Sequence, residues 1–119
     1  MKINDMVEKI KRRPDYHKAG MLLCHNGVVR ETSRDGRKVR GLKVAVDHEA
    51  LDRVLTKNRN RTGIIDILIE IAEDRDLVVG DDVMVLVVAG DIRDNVIRVL
   101  EDTLNEVKAT VTSKTEYYI

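Results

Sequence analysis

The sequence predicts an α+β domain with a mixed β-sheet and about three helices, in the order α-β-β-α-β-β-α-β. Three observations carry this. Residues 64–71 and 83–89 are β-branched and aliphatic, as strands require. Residues 48–58 and 92–107 instead repeat their apolar positions every three or four residues, as a helix does. Short polar turns, Arg34-Asp35-Gly36 and Gly80-Asp81, join other strands directly, so hairpins and helical connections coexist in one sheet.

Each element has its own local cause. Asn4 or Asp5 can cap a first helix with Met6, Val7 and Ile10 on its apolar side, and Pro14 stops it. Residues 19–29 read as a strand around the apolar run Met21-Leu22-Leu23-Cys24. Residues 38–46 alternate, with Val39, Leu42, Val44 and Val46 directed inward. The alternation breaks once near Gly41, which predicts a bulge. Asp47 caps the next helix, whose apolar positions are Leu51, Val54 and Leu55. The strand over 64–71 places Ile65, Ile67, Ile69 and Ile71 in one row. Residues 74–81 read as a polar loop, and 83–89 as a strand buried on both faces. Asp91 caps the last helix, striped by Val96, Leu100, Leu104 and Val107 with Ile97 beside them. A strand over 109–118 closes the chain.

Composition bounds the function. The 119 residues suit a single domain over 1–119, and 43% apolar content supports a packed core. That core is aliphatic, because Phe and Trp are absent and only Tyr16, Tyr117 and Tyr118 are aromatic. Basic and acidic residues balance at 21 each, so neither a broad electrostatic grip on nucleic acid nor a base-stacking platform is expected. The lone Cys24 excludes an internal disulfide and a cysteine zinc site, and it reads as a small buried residue. His17, His25 and His48 lack metal-ligand spacing. No signal peptide or bilayer-length apolar stretch is read, which predicts a cytoplasmic protein with no membrane contact.

The chemistry-bearing candidates are few. Gly27-Val28-Val29-Arg30 ends a strand in an arginine, and Gly36-Arg37-Lys38-Val39 restarts the chain with two more cations. A fixed guanidinium there can hold a phosphate or carboxylate through two parallel hydrogen bonds. Arg34 and Arg40 extend the same basic run. His25 precedes this turn. Arg93 lies in the first turn of the last helix, an end that favours anions. Lys108 sits at that helix's other end. Lys114 and Glu116 alternate with Thr115, so they share one side of the final strand and can act as a proton shuttle or phosphate clamp.

The order of these residues resembles the large, catalytic subunit of molybdopterin synthase over nearly the whole chain. The family pattern has the glycine and arginine of Gly27 and Arg30, and the Gly36-Arg37-Lys38-Val39 turn. It also has Gly80-Asp81 before a buried strand, an arginine at Arg93, and a final Lys-basic-Glu matched in part by Lys114-Thr115-Glu116. The sequence departs where Ile92 replaces a family histidine, His25 an aromatic residue, and Val107 a second lysine that Lys108 supplies one residue later. Typical members also continue with a basic tail beyond the position of Ile119.

The resemblance implies sulfur transfer from the thiocarboxylated Gly-Gly end of a small ubiquitin-like carrier to a cyclic pyranopterin phosphate, forming molybdopterin. It implies Lys114 as acid/base or covalent lysine, oriented by Glu116. Arg30, Arg93, Arg37, Lys38, His25 and Lys108 would be substrate-binding residues. A homodimer is expected, with Tyr117 and Tyr118 suited to its interface, and no metal or other cofactor. The alternative on the same fold is a non-catalytic binding or assembly module.

Overall fold

The computed structural model describes residues 2–119. Its elements are α1 (Ile3–Lys11), β1 (Met21–Val28), β2 (Val39–Val46), α2 (His48–Arg59), β3 (Ile64–Ile71), β4 (Leu77–Val78), β5 (Asp82–Gly90), α3 (Arg93–Glu106) and β6 (Thr112–Tyr118). A 3₁₀ turn over Tyr16–Lys18 and a π turn over Val107–Val111 complete them. The fold is α+β, and every expected element is present in the expected order. The added strand, β4, comes from the Leu77-Val78 part of the polar loop. Leu77 is buried, and the pair hydrogen-bonds to β2 at Gly41 and Leu42.

The strands form two antiparallel sheets, β1-β5-β3 and β4-β2-β6, rather than the one mixed sheet expected, because the turn after β1 carries the chain across to the second sheet. In the first, β5 is central, and Val85 to Ala89 are fully buried because helices cover both faces. Val85, Val87 and Ala89 pack under Ile10 and Met6 of α1. Leu86 and Val88 pack with Leu55 of α2 and Val96 and Val99 of α3. In the second sheet, Leu42 and Val44 turn inward and meet Val29, Ala72 and Leu77, which joins the two sheets.

Local chemistry accounts for most boundaries. The Asp47 carboxylate accepts from the Ala50 N–H at 3.1 Å and starts α2. The bulge falls between Val39 and Gly41 in the pairing of β2 with β6. Gly41 is needed there, since a β-carbon would collide with the Leu77 carbonyl oxygen of β4.

Several expectations are corrected. α1 begins at Ile3 with Lys2 at its cap position, so Asn4 and Asp5 lie inside the helix. A register shift between Ile64 and Asp66 breaks the isoleucine row. Ile65 packs on the α1 side, while Ile67 and Ile69 pack on the other. Ile92 is the cap residue of α3, and Asp91, one position earlier, accepts from the Ile92 N–H at 2.6 Å and the Asn95 amide at 2.9 Å. The buried face of α3 is Val96, Val99 and Thr103, which leaves Ile97 exposed. Residues 109–111 belong to the π turn rather than to β6. Cys24 is exposed, because it lies on the edge strand β1.

Candidate active site

A cavity of about 540 Å³ opens where the two sheets meet. Its apolar wall is Val28, Leu42, Val44, Ile71, Val83 and Met84. Its polar wall is His25, Thr112, Arg34, Lys108 and Lys114, completed by the backbone of Gly27. Among the described residues, no carboxylate lines it. The space therefore suits a ligand with one apolar flank and one anionic group.

Each polar group arrives by a different route. His25 stands opposite Leu86 across the β1–β5 pair, on the sheet face away from α1. It is half-buried, and burial first, then the Lys108 charge, pushes its imidazolium below the ordinary value. The neutral imidazole is thus favoured and can accept a proton.

Lys108 sits in the π turn. There the Thr112 N–H reaches back to the Val107 carbonyl, five residues earlier. Val107 and Val111 are buried against Met84, Ala50 and Val54, so the turn is anchored on both sides of Lys108. A single π turn adds one residue to the helical path, a device common at functional sites. It turns the helix end toward β6 and leaves Lys108 beside the cavity.

Lys114 stands opposite Val44 in the β2–β6 pair, and Glu116 stands opposite Leu42. Directly paired residues share a sheet face, so both point toward the inner side with Leu42 and Val44. Lys114 Nζ lies 3.8 Å from Glu116 Oε1, with side-chain exposures of 53% and 19%. The period-two reading of this pair is borne out. Glu116 is the more buried partner and lies outside the cavity lining, where it contacts Lys114.

The other expected site residues lie elsewhere. Arg30 is exposed, and its Nε donates to the Thr32 carbonyl at 2.9 Å, which ties it to the following turn. Arg37 stacks on the Tyr118 ring, 3.6 Å from its centroid. Lys38 is exposed, bridged to Thr32, and accepts from the Ile119 N–H at 3.2 Å through its carbonyl. Tyr117 donates to Asp76 at 2.8 Å and lies under Arg40, 5.7 Å from the guanidinium carbon to the ring centroid. These contacts clamp the C-terminal strand to the basic turn. Arg93 lines a shallow depression with Gly20, Met21, Ile92 and Asp94. Seven residue steps along β1 separate Met21 from the cavity residue Val28, roughly 23 Å of extended chain. Arg30, Arg93 and Lys114 therefore do not converge within one copy of the chain.

Arg34, which extends the basic run in sequence, also lines the cavity. The only signal was its place in the basic run 34–40.

Comparison with known proteins settles the family. The family model "MoaE protein" matches residues 1–110. The chain belongs to the MoaE family. Solved structures share the fold. The molybdopterin synthase of Staphylococcus aureus superposes with a TM-score of 0.80 at 19% identity, covering 100% of this chain and 86% of that one. Molybdopterin cofactor biosynthesis protein E of Burkholderia multivorans gives 0.77 at 21% identity, covering 100% and 84%. A complex of subunits 1 and 2 of the molybdopterin-converting factor of Helicobacter pylori gives 0.72 at 15% identity, covering 99% and 84%. No curated protein sequence matches the chain. Among the described residues, no helix of this MoaE family member is long and apolar enough to cross a membrane.

Proposed function

We propose that this protein is a sulfur-transfer enzyme of molybdenum cofactor biosynthesis, working on a cyclic pyranopterin phosphate in the cytoplasm. Membership of the MoaE family supports the biosynthetic role. The observation that carries the chemistry is the cavity, where Lys108, Lys114 and His25 meet an apolar wall. The pterin's flat body suits Val28, Leu42, Val44 and Met84, and its phosphate suits the cations.

The sulfur donor would be the C-terminal thiocarboxylate of a small ubiquitin-like carrier ending in Gly-Gly. A complex of two converting-factor subunits on the same fold supports such a partner. An extended Gly-Gly tail is narrow enough to enter between the sheets. The thiocarboxylate sulfur attacks a side-chain carbon of the pterin and expels the oxygen it carries, as the opened phosphate ester at one carbon or as water at the carbonyl carbon. Hydrolysis then breaks the acyl C–S bond of the resulting thioester, leaves the sulfur on the pterin and returns the carrier as a carboxylate. Each carrier delivers one sulfur, so the dithiolene needs two. Lys114 is proposed as the acid/base or covalent lysine at the reacting carbon, with Glu116 holding its ammonium in place. Neutral His25 lines the same cavity and offers a ring nitrogen as a hydrogen-bond acceptor there.

Arg93 would contribute only from a second copy of the chain. Its neighbours Ile92 and Ile97 are exposed isoleucines, at 55% and 44%, and form an apolar rim suited to a homodimer. Tyr117 and Tyr118, expected at such an interface, are engaged by Arg37, Arg40 and Asp76 within the chain.

The alternative is a non-catalytic binding or assembly module. Ile92 at the family's histidine position and the tethering of Arg30 to Thr32 favour it. Reconstitution separates the two. The protein is incubated with thiocarboxylated carrier and the pterin precursor, and dithiolene product is read by mass spectrometry. The enzyme reading expects product together with desulfurated carrier. Carrier binding without conversion would support the module.

A further inference from the structure

Arg34 is placed with unusual care for a turn residue. Residues 33–36 form a tight turn closed by the Gly36 N–H to the Ser33 carbonyl at 3.0 Å. Serine and glycine at its ends are the residues such a turn favours. The Ser33 hydroxyl donates to the Asp35 carboxylate, and the Arg37 N–H donates to Ser33 Oγ at 3.2 Å and Asp35 Oδ1 at 3.4 Å. The Ser33 N–H also bonds the Arg37 carbonyl at 2.8 Å. Ser33 is buried beneath the turn, while Gly36 takes the left-handed φ of +89° that lets the chain reverse. The Ser33 hydroxyl, then the Arg37 N–H, hold the Asp35 carboxyl below its ordinary value. Asp35 is thus spent on the turn's backbone, and Arg34 makes no ion pair among the described residues.

We infer that Arg34 is an oxyanion-binding residue of the cavity, filling the role that the strand-end Arg30 leaves open. Arg34 lines the cavity from the turn, together with Lys108 on the π turn and Lys114 on β6. Three cations from three separate elements therefore line one space, and among the described residues only Lys114 of the three has a carboxylate partner. Arg30 lies outside that space, with its Nε held by a backbone carbonyl. A guanidinium in this lining can grip a phosphate or carboxylate through two donors, while the lysines act as point charges. The inference rests on reading the cavity as the substrate site, and it names the residue that selects an anionic ligand there.

The test is a chemical-shift titration of the ¹⁵N-labelled protein with two separate probes. One is inorganic phosphate, which stands for the pterin's phosphate. The other is a short peptide ending in Gly-Gly with a free carboxylate, which stands for the carrier tail. Amides of residues 25–28, 108 and 112–114 should shift with at least one probe, and that probe identifies the anion Arg34 serves. Arg34→Gln should weaken its binding roughly tenfold or more, the usual loss for a charge-assisted pair. Arg34→Lys should fall between, and Arg30→Gln should stay within about twofold of the parent. Thermal denaturation confirms that each variant folds, which an exposed turn position permits. The inference is overturned if neither probe shifts these amides, or if Arg30→Gln loses binding while Arg34→Gln keeps it. Arg34-dependent binding in a protein that transfers no sulfur would uphold this inference and overturn the catalytic reading alone.

Discussion

Replacing Leu86 with alanine removes three carbons from the centre of β5, where the side chain is fully buried among Leu55, Ile67, Val88, Val96 and Val99. At roughly 0.8 kcal/mol per buried methylene, the transfer loss alone is about 2.4 kcal/mol. The site is enclosed between β5 and two helices, so water cannot refill it and a cavity penalty adds to the loss. The expected total is about 3–4 kcal/mol. Met84→Ala provides the contrast. Met84 lies two residues earlier on the same strand and is also buried, but it forms part of the cavity wall. Its removal enlarges a space already open to solvent, so the cost should sit near the lower end of the range, about 2 kcal/mol. Met84 also supports Val107 and Val111, the anchors of the turn that carries Lys108. Its loss should therefore weaken anion binding as well as stability, while Leu86→Ala leaves the cavity wall intact. Urea denaturation at constant m-value reads both stabilities. The reasoning is refuted if Met84→Ala costs more than Leu86→Ala, or if both fall below about 0.5 kcal/mol.

Two further outcomes follow from single groups. Burial and the Lys108 charge place the folded-state pKa of His25 below its ordinary value of 6.5, so the unfolded chain takes up the proton first. The contribution of neutral His25 is complete above the unfolded value and is lost as pH falls through the folded one. Stability should therefore fall as pH drops below the ordinary value of 6.5, less steeply in Lys108→Ala, and the His25 share should vanish in His25→Asn. A pH slope unchanged in His25→Asn would contradict this. Asp47→Ala removes the acceptor for the Ala50 N–H and should cost about 1 kcal/mol, seen as a lower Tm with no change in anion binding.

What the sequence made legible depended on whether the signal was periodic. The Lys114–Glu116 pairing follows from the two-residue repeat of a strand, and the Asp47 cap from a side chain acting on the backbone beside it. The break near Gly41 was visible because one residue too many interrupts an alternation. Other features leave no such trace. The π turn inserts one residue, yet Val107 and Val111 keep the spacing of four that an ordinary helix would show. β4 is two residues long, too short for any repeat, and exists because Gly41 admits a carbonyl next to β2. Arg30 and Arg34 differ by four positions in a turn with no periodicity, so composition alone could not say which one faces the cavity. The meeting of His25, Lys108 and Lys114 was expected from the family resemblance. Its physical cause is the junction of two sheets, which local sequence does not encode.

The central claim is that Lys114 acts in sulfur transfer inside this cavity. The most direct measurement is single-turnover conversion of the pterin precursor by saturating thiocarboxylated carrier, comparing the parent protein with Lys114→Ala. Lys114 is about half exposed, so the substitution should leave the fold and carrier affinity essentially unchanged. The account predicts a rate lower by about 10²–10⁴, the usual consequence of removing an acid/base group. An active parent whose rate survives Lys114→Ala would contradict it.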